Sequence, residues 1–245
     1  MERIFDRFVD ENLIVRITGQ VWQLNKAIDN FWKSGNLAFY VLGLPHVAQV
    51  MKRAVVAINI ENDEGDIECG SGVVLYSNAP GLGMVITNRH VVENVEIKNV
   101  IVDGAELERV SDPILSTTAD LAKFNVALKP SIPNVALALD ALVLDEVVSI
   151  GYPRIPTSAQ QSAMSHRGEI NGSITTLDGR RYSAISCHVS PGNSGGPIFN
   201  KYGYCAGLVT QSGTAKYTSS VGADDGYAVA YHMAIPVEIL KNFVT

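Results

Sequence analysis

Apolar residues recur at alternating intervals of three and four through Ile14, Ile17, Val21, Leu24, Ile28 and Phe31, the spacing that lines one face of a helix. The pattern predicts an N-terminal helix, weakened by Gly19 and ended by Gly35. A second apolar segment, residues 37–50, is interrupted by Gly43 and Pro45. It is too short to cross a bilayer, which takes about 20 residues, so no transmembrane span is expected. From residue 54 onward the chain reads as short apolar strands separated by turns. One series covers residues 54–60, 72–76, 83–87, 95–102 and 121–128. A stretch with Pro130 and Pro133 that runs to Asp140 reads as a connection. The second series covers 146–150, 168–176, 182–189, 197–199, 204–210 and 227–235. Residues 236–244 begin with Pro236, which suits a first helical turn, and read as a closing helix.

Composition narrows this picture. The chain has 245 residues, 47% of them hydrophobic, with 21 glycines, enough to bury a large core and still turn often. An all-β unit over residues 54–245 with an appended, helical segment at 1–53 fits. The N-terminal apolar stripe has to be buried, against the β unit as a cap, against another copy of the chain or a regulatory partner, or at a membrane surface as an anchor. The net charge is −6 and no Lys/Arg cluster stands out, so nucleic acid is not an expected partner. The residues after Met1 mix charges with apolar positions and lack a secretory h-region, which leads to an expectation of a cytoplasmic protein. Cys69, Cys187 and Cys205 cannot all pair within one chain, which suits a reducing compartment. Cys187 and Cys205 flank one loop on neighbouring strands, so a bond between them stays open. With no Cys-x-x-Cys spacing and no fourth ligand, no metal or other cofactor is expected.

The candidate chemistry centres on Gly192-Asn193-Ser194-Gly195-Gly196-Pro197. A hydroxyl is a weak nucleophile, so it needs a tight turn that exposes its oxygen beside convergent N–H groups. Glycines permit that turn, and the N–H groups of Gly192 and Ser194 are placed to form an oxyanion hole. An ordinary hairpin loop uses the same residue types, but six ordered positions are harder to match by accident. His90, at the end of the apolar run Val85-Ile86-Thr87, offers a base suited to taking a hydroxyl proton. His46, His166 and His232 lack such a context and read as structural. An acid must orient the imidazole: Asp120 is the leading candidate, Asn125 in a shifted register would put an amide there instead, and Asp112 is a further option.

These segments resemble the trypsin-like serine peptidases, and within them the HtrA-type branch. The resemblance rests on the nucleophile turn, on Thr87-Asn88-Arg89-His90-Val91 after the strand Gly70-Ser71-Gly72, on Asp120-Leu121-Ala122, on Ser149-Ile150-Gly151-Tyr152-Pro153 and on Ala234-Ile235-Pro236. It covers residue 54 to the end and implies a chymotrypsin-like fold of two six-stranded antiparallel β-barrels, about 54–130 and 144–235. It further implies a serine endopeptidase acting on polypeptides, with His90, Asp120 and Ser194 as triad, Gly192 and Ser194 as oxyanion donors, and a specificity pocket between His188 and Thr210-Gln211-Ser212. Nothing after the closing helix resembles the peptide-binding PDZ module that such enzymes often append. Asn193 stands where zymogens of this class carry an activating aspartate, so the oxyanion turn must be set by other means. Lys123 stands where the family has an aliphatic residue. A protease-fold binding module with an incomplete triad, and a hydrolase of esters or small amides, are the competing functions.

Overall fold

The structure, a computed structural model, describes residues 14–18, 21–24, 37–62, 64–77, 79–129, 131–156, 158, 160–215 and 229–245. Its first elements depart from the helix that the spacing predicts. Ile14–Thr18 (β1) and Val21–Leu24 (β2) pair as an antiparallel hairpin, with Ile14 opposite Leu24 and Thr18 opposite Val21. The three-and-four spacing is ambiguous over so short a stretch, and the β-branched Ile14, Val15, Ile17, Thr18 and Val21 favour extended backbone. Ile28 and Phe31 lie outside the described residues.

The second apolar segment forms two short helices, Leu37–Leu42 (α1) and Leu44–Met51 (α2). They break at Gly43, whose φ of 69° a side chain would disfavour, and α2 carries Pro45 in its first turn. Phe39, Leu44, Val47 and Met51 are buried in the cluster that also holds Phe199, Leu208 and Ile235. Phe39 lies so close to Gly203 that a β-carbon there would sit 2.9 Å from its ring. This pair of helices therefore caps the C-terminal half of the molecule.

The first sheet is built from Val55–Glu61 (β3), Ile67–Tyr76 (β4), Leu82–Thr87 (β5), Glu96–Val102 (β6), Ala105–Leu107 (β7), Ile114–Leu115 (β8) and Ala122–Ala127 (β9), with a helical turn at Arg89–Val92 (α3). Its seven strands run in the order β7-β6-β3-β4-β5-β9-β8. This corrects the expected closed six-stranded barrel, because β7 and β8 stand as edges. The residues that follow β7 leave β6 and run along β9: the Val110 N–H donates to the Asn125 carbonyl and the Ala127 N–H to the Glu108 carbonyl. Pro113 then has no N–H to give a ladder, and pairing resumes only at Ile114.

The second half closes fully. Glu146–Gly151 (β10), Met164–Thr175 (β11), Arg181–Ile185 (β12), Pro197–Asn200 (β13), Cys205–Ala215 (β14) and Val229–Pro236 (β15) form an antiparallel barrel in the order β10-β11-β12-β15-β14-β13. Val237–Val244 (α4) follows. One apolar cluster fills the first sheet around Ile58, Val85 and Phe124, and another fills the barrel around Val147, Ile170 and Ile198. A third joins Val73, Ile86 and Leu121 of the first half to Val148, Ile150 and Ile235 of the second. Each such side chain, fully buried, contributes about 1.5–3 kcal/mol, so the seam between the halves is a packed core.

Alternation along β9 accounts for Lys123. Ala122, Phe124 and Val126 are buried, while Lys123 and Asn125 between them are half-buried. The Lys123 ammonium donates to the Phe243 carbonyl at 2.7 Å and lies 5.0 Å from the Phe243 ring centroid. A cation at that strand position pins the closing helix by its C-terminal carbonyls and a cation–π contact. Among the described residues, no helix is long and apolar enough to cross a membrane.

Candidate functional site

The β5–β9 ladder, which pairs Thr87 with Ala122, brings His90 and Asp120 together at the edge of the seam between the halves. β5 ends at Thr87, and the one-turn helix α3 that follows presents the imidazole. The Asp120 carboxylate lies just ahead of β9 and accepts three hydrogen bonds: its Oδ1 from the His90 backbone N–H at 3.0 Å, its Oδ2 from the His90 ring Nδ1 at 2.7 Å and from the Thr210 hydroxyl at 2.8 Å. Holding Nδ1 as a donor leaves the lone pair on Nε2, the nitrogen a base would use. Burial works to raise the pKa of Asp120, but the bonds from His90 and Thr210 outweigh it and hold the carboxyl below its ordinary value. The buried Asn88 fixes the same corner by donating from Nδ2 to the Asp120 carbonyl at 3.0 Å. The other two acid candidates lie elsewhere. Asn125 sits opposite Met84 in the β5–β9 ladder, and the exposed Asp112 pairs with Arg109.

Ser194 is carried by the loop between β12 and β13. Gly192 has φ 97° and Gly195 φ 82°, and a β-carbon would meet the Tyr152 carbonyl at 2.4 Å from the first and the Ser71 carbonyl at 2.2 Å from the second. Only glycine tolerates both the conformation and the approach. The peptides on either side of Gly192 are held from outside the loop. The Pro191 carbonyl accepts the Arg154 N–H at 2.9 Å, and the Gly192 carbonyl accepts the Ser71 hydroxyl at 2.6 Å. Ser71 is fully buried in β4; its hydroxyl also accepts the Tyr152 N–H at 2.8 Å, and its own N–H donates to the Ser194 carbonyl at 2.8 Å. The Gly192 N–H shares its peptide with the Pro191 carbonyl and the Ser194 N–H with the Asn193 carbonyl, which accepts the Gly196 N–H at 2.9 Å; with these carbonyls held, the two N–H groups have no acceptor among the described residues. The Ser194 hydroxyl donates to the Thr210 carbonyl at 3.2 Å, and no described hydrogen bond joins it to His90. Asn193 is buried, and its Oδ1 has no partner among the described residues.

The expected specificity residues divide. The Thr210 hydroxyl is spent on Asp120, as given above, and its carbonyl faces Ser194. Gln211 and Ser212 lie farther along β14, opposite Met233 and His232. His188 is exposed, and its Nε2 lies 2.9 Å from the Ser190 hydroxyl. One groove reaches Gly192 of the loop that carries Ser194, and another reaches His90. One is lined by Cys69, Tyr152, Arg154, Gln161 and Gly192. The other is lined by Arg89, His90, Glu93, Asp120 and Arg180.

All three cysteines are free thiols. Burial pushes Cys69 up to about 11 and Cys205 up to about 12, and it raises Cys187 as well. Thiols so protonated are neither nucleophiles nor thiolate ligands near neutral pH. Among the described residues, no group of three His, Cys, Asp or Glu is arranged to hold a metal ion.

Sequence reading missed three supports of this site: the Ser71 hydroxyl, the Arg154 N–H and the Thr210 hydroxyl. Gly70-Ser71-Gly72 was legible as a strand, but nothing local to it points to a loop more than a hundred positions downstream.

A closed antiparallel barrel joined to a second β sheet, with an imidazole–carboxylate pair and a serine linked through Thr210 at the seam, has the architecture of the chymotrypsin-like fold. The family model for the trypsin-like peptidase domain matches residues 70–208, more than half of the chain, and the chain belongs to that family. It is 32% identical over 179 residues to a probable periplasmic serine endoprotease DegP-like of Rhizobium meliloti, a match that covers 71% of this chain and 32% of the relative. It is 28% identical over 186 residues to the periplasmic serine endoprotease DegP of Salmonella typhimurium, covering 72% of this chain and 35% of the relative. The chain thus spans about a third of the length of these curated relatives. Among solved structures it resembles the HtrA-type protease AlgW with tripeptide, with a TM-score of 0.60 and 21% identity over 82% of this chain and 62% of that one, a likeness of fold. The relatives' names overturn the expectation of a cytoplasmic protein and point to the periplasm. Free thiols and the residues near Met1 do not determine a compartment.

Proposed function

We propose that this chain is the peptidase domain of a serine endopeptidase that cleaves polypeptides through an acyl-enzyme. The observation that carries the reading is the hydrogen bond from His90 Nδ1 to Asp120 Oδ2 at 2.7 Å, which leaves Nε2 free to act as a base on the side of Ser194. On engaging substrate, the Ser194 hydroxyl turns from the Thr210 carbonyl to His90; such bonds are often long or misaligned without substrate and tighten in the complex. Its oxygen attacks the peptide carbonyl as its proton passes to Nε2. The Gly192 and Ser194 N–H groups receive the oxyanion, and Asp120 stabilises the imidazolium. His90 then returns the proton to the leaving amine, and water repeats the sequence in reverse roles to release the acyl group. The two grooves beside the site suit an extended chain that runs through it, and the relatives' names support a periplasmic setting. The test is digestion of casein by the purified chain beside a Ser194→Ala variant: fragments from the wild type alone support the reading, and fragments from both, or from neither, oppose it.

A further inference from the structure

Three histidines that sequence reading treated as separate converge on one wall of the barrel. The His188 ring lies 5.2 Å from the His166 ring and 5.9 Å from the His232 ring, edge to face in both cases. They come from three segments: β11, the loop after β12, and β15. The cluster adjoins the nucleophile loop on two sides. His188 Nε2 meets the hydroxyl of Ser190, whose carbonyl accepts the N–H of Asn193 beside the nucleophile. His232 sits opposite Ser212 in the β14–β15 ladder, two positions along from Thr210, which receives the Ser194 hydroxyl.

Among the described residues, the charge around these rings is one-sided. On β11, alternation puts Arg167 and Glu169 on the face opposite His166, and Arg167 is paired with Glu146 there. The loop after β12 adds only the buried, neutral Cys187. No carboxylate among the described residues forms an ion pair with His166, His188 or His232. Burial, and then His188, push the pKa values of both flanking imidazoles down. His232 Nδ1 is buried without a hydrogen-bond partner among the described residues. Three clustered imidazoles with no acidic ion-pair partner among the described residues, one of them exposed, form a wall suited to an anion.

We infer that His188, backed by His166 and His232, forms a subsite for a carboxylate side chain, so that the enzyme prefers glutamate or aspartate on the acyl side of the cut. This rests on the peptidase reading above and adds the substrate class. A bound carboxylate would supply a counter-charge to His188, and binding it favours the imidazolium, so the preference grows as pH falls towards the imidazole range and weakens above it. A glutamine at the same position has nearly the same shape and no charge.

The experiment measures kcat/KM for two peptides that differ only in Glu or Gln at that position, from pH 8 to pH 5.5. The ratio cancels any pH dependence of the chemical step, which both substrates share. The expected result is a preference for Glu of about tenfold or more at pH 6, shrinking by pH 8 and reduced towards unity in His188→Leu. Should that variant fail to fold, the wild-type ratio decides alone, and a ratio that is flat with pH overturns the inference. Turnover that requires Ser194 but favours an aliphatic residue, unchanged by His188→Leu, also overturns it while leaving the peptidase reading standing. Absence of any Ser194-dependent turnover or fluorophosphonate labelling defeats the peptidase reading, and the subsite with it.

Discussion

The Ser71 hydroxyl donates to the Gly192 carbonyl at 2.6 Å, which ties a buried residue of the first sheet to the turn that carries Ser194 in the second half. Asn193 stands where chymotrypsin-type zymogens carry an aspartate, and here the Ser71 bridge, with the Arg154 N–H on the preceding carbonyl, holds the turn. Ser71→Ala would leave the Gly192 carbonyl free to rotate and the Tyr152 N–H unpaired. A buried group left so costs about 1–3 kcal/mol of stability. In steady-state kinetics well below the melting temperature, kcat should fall roughly tenfold to a hundredfold with little change in KM, because the oxyanion donors are misplaced.

Gly192 itself makes a sharper test. Its φ of 97° and the 2.4 Å approach of an added β-carbon to the Tyr152 carbonyl leave no room for a side chain. Gly192→Ala should keep the barrel, as read by far-UV circular dichroism, and lower kcat by about a hundredfold to a thousandfold, the loss that follows removal of one oxyanion donor.

Asp120→Asn should lower kcat on the order of ten-thousand-fold by offering the wrong imidazole tautomer. Its effect on stability depends on pH in a set direction. The Asp120 carboxyl is held below its ordinary value in the folded state, so its contribution is present above the ordinary carboxylate range and is lost as pH falls through the lowered value. Urea unfolding of both proteins should therefore show a gap at pH 7 that closes on strong acidification. A gap that widens in acid would refute the assignment of the shift.

The helices before β3 carry the fold's stability as a cap. Phe39→Ala empties the space beside Gly203 and Met51 and should cost about 3–5 kcal/mol in chemical denaturation. Deleting residues 1–50 removes Phe39, Leu44 and Val47 together, so the remainder should lose solubility even though His90, Asp120 and Ser194 all lie downstream.

Local pattern carried much of this architecture, because alternations such as Ala122, Phe124 and Val126 against Lys123 and Asn125 belong to the strand itself. It misled at Ile14–Thr18, where apolar spacing and β-branched propensity pointed to different structures over a few residues. It was silent on the first sheet's open edges, since the choice of residues 108–110 to follow β9 is made by pairing partners distant in sequence. At the site, Gly192 to Pro197 and the segment around His90 were legible as short ordered motifs. The pairing of His90 with Asp120, with Asn125 and Asp112 elsewhere, is a matter of tertiary distance. The meeting of His166, His188 and His232 on three separate segments left no mark on any one of them.

The central claim is that Ser194 is a nucleophile activated by His90. Fluorophosphonate treatment of the purified chain, followed by peptide mapping in a mass spectrometer, tests it most directly. One adduct on Ser194 is expected, absent from Ser194→Ala and formed far more slowly in His90→Ala. An adduct on another residue, or equal labelling of the Ser194→Ala variant, would contradict it.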